Sequence, residues 1–467
     1  MNLAILQPVA GPRAAERPYR HDVAATVAAL RVRGHNVALL VLDAYDEAAL
    51  ATIASLPRPD LVLIYVESLA ADLAFRLAGA LAQVHGSPLI AFGPHASLRP
   101  DECLSMTGAE AVAVGPADLV APDYLASRTS SLDHLRTPGF WVKYETGIMR
   151  NPPPRPPASL ADLPAPARDL YLSDLLVDTA GFAEIQVARG GESGQAQAPK
   201  GRPAAPPPQT VWPPTAAWPV LHRPLDAVLA EMREMVDLLL DLGGFRIGNV
   251  RWASAPEWLA AFAKRYPTEI GLPIRTTLHA ADITLPTAEL LAQVRCEEVR
   301  IPIGSGSALI RNDVLGMAVS PEAAAAAFAA LRAVGIPSVA CVEIGAPYET
   351  PVSLDQTVEF LRRLEPDRIE AALHYPVPGT PAHKIAHENG WLVPDPAAAH
   401  LAGRPAVALS RLSADDLVTA CEELPYAVLR PRIAPLIRLA RRVRIGNRGT
   451  LYELLLKPFL APAKRRP

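Results

Sequence analysis

Two series of short apolar runs alternate with longer runs of helical spacing, and a proline-rich stretch separates the series. In the first, residues 3–6, 37–42, 61–66, 89–92 and 111–114 read as buried strands, with helical periodicity over 18–33 and 69–84. Strands and helices alternating at this pitch predict a parallel, doubly wound, Rossmann-like sheet. In the second, strand-like runs at 183–188, 245–250, 274–278, 299–303, 339–344 and 369–374 enclose helical patterns at 225–240, 257–266, 287–294, 321–334 and 354–364. Six such repeats predict a partial (β/α)6 barrel, an open relative of the eight-fold form, with its site at the carboxyl ends of the strands. The fold class is therefore α/β. The predicted organisation is a Rossmann-like domain over 1–145, a linker over 146–182, a barrel over 183–395 and a helical, basic region over 396–467.

Bulk properties exclude several classes. The 467 residues carry a net charge of −3 and are 50% hydrophobic, so nothing global points to nucleic acid or membrane. No apolar stretch is long enough to span a bilayer. The four cysteines, Cys103, Cys296, Cys341 and Cys421, lie at least 45 residues apart, which rules out a CxxC knuckle. They read as buried small hydrophobes in a reducing, cytoplasmic compartment. The 49 prolines cluster in linkers. One tract occupies 150–168, and another forms a loop over 198–219 that excludes helix and central strand.

The turns after the strands carry the chemistry-bearing residues. Gly93-Pro94-His95-Ala96-Ser97 follows the fourth strand and Gly115-Pro116-Ala117-Asp118 the fifth. A glycine there lets backbone approach a ligand, and His95 and Ser97 either bond that ligand or cap the next helix. In the second series, Gly345-Ala346-Pro347-Tyr348-Glu349-Thr350 follows the fifth strand and Tyr375-Pro376-Val377-Pro378-Gly379-Thr380-Pro381 the sixth. The segment 299–319 contains Ile303-Gly304-Ser305-Gly306-Ser307 and Ile310-Arg311.

Taken in order, these segments resemble the cobalamin-binding radical SAM superfamily. They match its Gly-Gly-x-His-x-(Ser/Thr/Ala) turn at Gly93, His95 and Ser97, with Phe92 in the first glycine position, and its LPxPxR segment (residues 163–168), GxPxET element and YxPxPGTP element, whereas Pro116, Ala117 and Asp118 depart from the Gly-Glu-Gly-Glu that follows in the family. The resemblance implies a corrinoid site formed by Tyr65, Ser68, Gly93, His95, Ser97 and Gly115, which the sequence leaves open to a corrinoid or a nucleotide. The DxHxxG signature is absent, so His95 is not assigned to cobalt. It also implies barrel-mouth roles for Glu349 and Tyr375, against a plainer reading as turn capping and rim packing.

The departures from the family pattern are grouped. The CxxxCxxC loop would hold a [4Fe–4S] cluster through three thiolates, and its cysteine positions are Gly191, Gln195 and Ala198. None offers a soft anionic sulfur. Gly304 replaces the glutamate that contacts S-adenosylmethionine, Met317 an arginine, and Asn249 the usual acidic residue. The resemblance thus implies a degenerate member, a pseudoenzyme without an iron–sulfur cluster and without the family's grip on S-adenosylmethionine. Trp212 or Trp218 is expected to plug the vacated loop.

Three functions follow. The first is a binding or partner subunit supporting an active paralogue. The second is a non-radical corrinoid- or S-adenosylmethionine-dependent enzyme, methyltransferase- or cyclase-like, drawing on His279, Glu349, Tyr375 and Arg275. The third is a scaffold that binds a partner protein through the proline tracts and the basic segment 430–448, where Arg438, Arg441, Arg442 and Arg444 interleave with apolar residues and offer a docking face for an acidic partner or an anionic membrane surface. The plainer reading of that segment is a solvated helix packed on the barrel.

Overall fold

In the computed structural model, residues 1–11, 19–130, 132–191, 218–317 and 319–431 are described. Gln195, Ala198, Trp212, most of the loop 198–219 and the basic segment beyond Pro431 lie outside the described residues.

The first sheet contains β1 (Asn2–Pro8), β2 (Asn36–Leu42), β3 (Leu61–Tyr65), β4 (Leu89–Phe92), β5 (Ala109–Ala113), β6 (Phe140–Tyr144) and β7 (Gly147–Arg150). Its order is β2-β1-β3-β4-β5-β6-β7. The first five strands are parallel, as their near-continuous apolar runs require when both faces are covered. Helices His21–Val32 and Ala117–Ser130 cover one face, and Glu47–Ser55 and Ala71–His85 the other. The order reverses between β1 and β3, which places a crevice beyond their carboxyl ends.

The antiparallel hairpin β6–β7 was not expected, and it carries the sheet past residue 145 into the stretch read as linker. The connector that follows is docked rather than free. Leu160, Arg168 and Tyr171 are buried in it. The Tyr171 hydroxyl donates to Gln7 Oε1 at 2.6 Å and Ala167 N–H to Ala24 O at 3.0 Å.

The second sheet is built from β8 (Phe182–Gln186), β11 (Gly244–Gly248), β12 (Ile274–Thr277), β13 (Cys296–Gly304), β14 (Ser338–Ile344) and β15 (Arg368–Leu373). It is a six-stranded parallel sheet of order β15-β14-β13-β12-β11-β8, the predicted partial barrel. Alternation sends Ile185, Ile247, Ile301, Val342 and Ile344 outward into the helical layer. The same alternation leaves Glu184, Arg246, Arg300, Cys341 and Glu343 on the inner face. Between β8 and β11 lies a short antiparallel ladder, β9 (Ala188–Arg189) with β10 (Leu221–His222).

The helix Pro321–Val334 starts as its sequence predicts. Ser320 accepts from Ala323 N–H, Pro321 fills the first turn, and Gly335 closes the helix in the left-handed region.

Candidate functional site between the two sheets

The carboxyl ends of both sheets face each other. Arg189, just past β8, ion-pairs at 2.7 Å with Asp118, in the turn beyond β5. Leu98 packs against Gly379. The helix Pro396–Leu401 lies on Ser68–Ala70, and Leu401 reaches Gly11 beyond β1. Asp22 retains exposed surface, yet burial is the main cause that pushes its carboxyl up to about 6. The charges acting on it, Arg189, Asp118, Glu184 and Glu67, come from both domains, so Asp22 lies where the two sheets meet. Arg20, paired with Glu67 at 2.6 Å, sits beside it.

The residues singled out on the first domain do come together. His95 is buried, and its Nδ1 meets Ser68 Oγ at 3.1 Å. The Ser97 hydroxyl donates to Gly93 O at 3.0 Å and accepts from Gly115 N–H at 2.9 Å. Gly93 is in the positive-φ region at 103°, and a Cβ there would lie 2.8 Å from the Tyr65 ring. These groups are spent on one another: they brace the cleft floor, and the glycine makes room for Tyr65. His95 Nε2, 3.5 Å from Glu102, lacks a hydrogen bond.

The cofactor-contact positions of the second domain are repacked. Gly191 has φ of 63°, and a Cβ there would lie 2.5 Å from Val220 Cγ2. Its N–H donates to Trp218 O at 3.1 Å, and Trp218 is buried beside Gly190. Asn249, in the left-handed region, donates from Nδ2 to Gly190 O at 3.1 Å. A Cβ on Gly304 would lie 2.6 Å from Met317 Sδ. Of the positions that depart from the family pattern, Gly304 and Met317 pack against each other in the turn after β13, whereas Gly191 and Asn249 make separate contacts near the end of β9, to Val220 and to Gly190.

The donor set does not fit a [4Fe–4S] cluster. Position 191 carries no thiol, a Cβ built there would press on the Val220 side chain, and no three His, Cys, Asp or Glu side chains group as a metal site among the described residues. The four thiols are pushed up by burial, to about 12 for Cys103 and Cys296 and about 11 for Cys341 and Cys421.

At the opposite wall, Glu349 is 2% exposed, and its Oε2 accepts from Gly345 N–H. Thr350 caps the helix Pro351–Leu364 in a capping box with Ser353. Tyr375 lies 5.2 Å from the His400 ring. His279 Nδ1 accepts from Ala281 N–H at 3.3 Å, an N-cap role. Arg275 does not belong with them. Its guanidinium stacks 4.0 Å over Phe182, the first residue of β8, and pairs with Glu297 at the other end of the barrel. Sequence reasoning missed Glu343 and His374, which the structure joins through the carboxylate and Nδ1.

Burial pushes the Glu349 carboxyl from 4.5 up to about 7. A raised carboxyl favours the folded state below its unfolded value and loses that contribution as pH rises through the folded one. Stability is expected to fall by about 3 kcal/mol between about pH 4.5 and about pH 7 through this group. Glu349→Gln is expected to flatten that slope in denaturant titrations at the two pH values.

No family model matches the chain, and no curated protein does. Solved structures do. The radical S-adenosylmethionine methyltransferase TsrM from Kitasatospora setae, with cobalamin and a [4Fe-4S] cluster bound, superposes with a TM-score of 0.63 at 18% identity, over 84% of this chain and 79% of that one. The cobalamin-dependent S-adenosylmethionine radical enzyme OxsB, with aqua-cobalamin and S-adenosylmethionine bound, gives 0.61 at 12% identity, over 95% of this chain and 62% of that one. This chain has the fold of cobalamin-dependent radical SAM enzymes. At these identities the likeness is one of fold. No helix among the described residues is long and apolar enough to cross a membrane.

Proposed function

We propose that this protein is a cluster-free member of the corrinoid-type radical SAM fold, a binding protein that holds a corrinoid in the cleft and does not cleave S-adenosylmethionine reductively. The observation that carries this reading is the locked glycine at 191, whose Cβ space belongs to Val220. The floor of Tyr65, Gly93, His95 and Ser97, rimmed by Arg20, Glu67 and Asp22, suits a large ring edged with hydrogen-bonding amides. Arg20 and Glu67 would hold the amides, and the bound corrinoid would supply a reactive cobalt centre. The basic segment 430–448 is proposed as the docking face for an acidic protein partner, an active paralogue in the simplest case. Titration of the purified chain with hydroxocobalamin tests the corrinoid part. A saturable change in the corrin absorption bands is expected, weakened by Arg20→Ala. Absence of saturable binding contradicts it.

A further inference from the structure

A buried polar atom left without a partner carries its full desolvation penalty, so such atoms mark places where something beyond the chain can complete the bond. Three of them lie at the barrel mouth: His374 Nε2, Glu349 Oε1 and His400 Nδ1. They come from the end of β15, the turn after β14 and the helix Pro396–Leu401. His374 acts electrostatically on both Glu349 and His400.

The His374 ring is fixed in orientation. Its Nδ1 bonds the Glu343 carboxylate, and its backbone N–H donates to Ile344 O at 2.7 Å. A carboxylate can only accept, so Nδ1 carries a proton in this pair, and whenever the ring is neutral its lone pair is on Nε2. Glu343 pairs in register with Ala372, which sets the two side chains on adjacent strands at their carboxyl ends. Barrel chemistry is performed at that end.

We propose that Glu343 and His374 form a proton-transfer dyad for a small polar ligand bearing a hydroxyl, thiol or ammonium group. The ligand's X–H bond breaks, its electron pair stays on X, and an N–H bond forms at Nε2. Glu343 is the positioning residue and offsets the imidazolium charge. The proton then leaves to water or to the departing product, so no oxidant or reductant is required. Glu349, with its carboxyl pushed up to about 7 mainly by burial, is a second group able to carry the proton near neutrality. The helix Pro396–Leu401 lies near the dyad, since His374 acts electrostatically on its His400. None of the residues in the helix Pro396–Leu401 is fully buried, and its His400 rests 5.2 Å from the Tyr375 ring. The dyad goes beyond the binding role proposed above and depends on neither corrinoid nor metal.

Diethyl pyrocarbonate tests the dyad on the full chain with nothing else bound. A neutral imidazole nitrogen attacks the reagent and becomes acylated, and ethanol and carbon dioxide leave. Peptide mass mapping reads each histidine, with the exposed His387 as internal reference. His374 is expected to react in the folded protein, more slowly than His387 because its ring is buried. Glu343→Gln is expected to slow His374 about tenfold, as loss of a charge-assisted hydrogen bond implies, and to leave His387 unchanged. His400→Ala is expected to speed it. Acylation of His374 only after unfolding, or a rate indifferent to both substitutions, overturns the proposal. Melting curves establish that each variant is folded, and if Glu343→Gln is not, Glu343→Asp and His400→Ala decide it.

Discussion

Replacing Glu231 by alanine is expected to destabilise the protein by about 3–5 kcal/mol, the cost of leaving buried charge uncompensated. Glu231 is 4% exposed and sits between Arg168 and Arg223, each 2.6 Å away. Arg168 also donates to Glu184 O at 2.9 Å and stacks 4.6 Å over the Tyr19 ring. Removing the shared carboxylate strands two guanidiniums where water cannot reach them. Because Arg168 belongs to the connector and Tyr19 to the first domain, the loss falls on the contact between the two sheets. Urea titration is expected to show the drop, with faster proteolysis in the connector. A variant with Arg168, Glu231 and Arg223 all replaced by methionine is expected to recover most of it, since an ion triad exchanged for packed apolar side chains is often neutral.

Gly191→Cys is expected to destabilise the protein by about 2–5 kcal/mol rather than begin to restore a metal site. The φ of 63° costs a side-chain-bearing residue roughly 1–2 kcal/mol. The Cβ position 2.5 Å from Val220 Cγ2 adds an overpacking penalty of about 1–3 kcal/mol. The two sources of strain separate experimentally: Gly191→Cys combined with Val220→Ala relieves the overpacking and keeps the dihedral cost. Thermal melts of the single and double variants check this, and equal melting temperatures for both would count against the packing account.

Both sheets were legible because their strands are short apolar runs bounded by glycine, proline or aspartate. Buried parallel strands leave no other pattern. The hairpin β6–β7 was not, because Lys143, Tyr144 and Glu145 break the alternation and one face of each strand is wet. The helix Glu47–Ser55 escaped for a related reason: only Ala49 and Ile53 in it are buried.

At the site, the glycines and small polar residues after β4 and β5 foretold where the turns meet. What they do there depends on tertiary neighbours. Gly93 answers to Tyr65, and Ser97 bonds two turns at once. Asn249 reaches back 59 residues to Gly190, and Gly304 leaves the room that Met317 fills across a turn, so those last two departures are physically linked. Glu343 and His374 are 31 residues apart, and neither stands in a motif; only the register of β14 against β15 brings them together. Arg275 was misplaced because a strand's sequence does not announce which of its residues lies nearest the mouth.

The proposed function stands on the absence of thiols at positions 191, 195 and 198. Anaerobic reconstitution of the full chain with iron and sulfide, followed by reductant and S-adenosylmethionine, tests that most directly. Iron content at background, no electron paramagnetic resonance signal from a reduced cluster and no 5′-deoxyadenosine are the predicted result. A cluster held in stoichiometric amount that releases 5′-deoxyadenosine would contradict it.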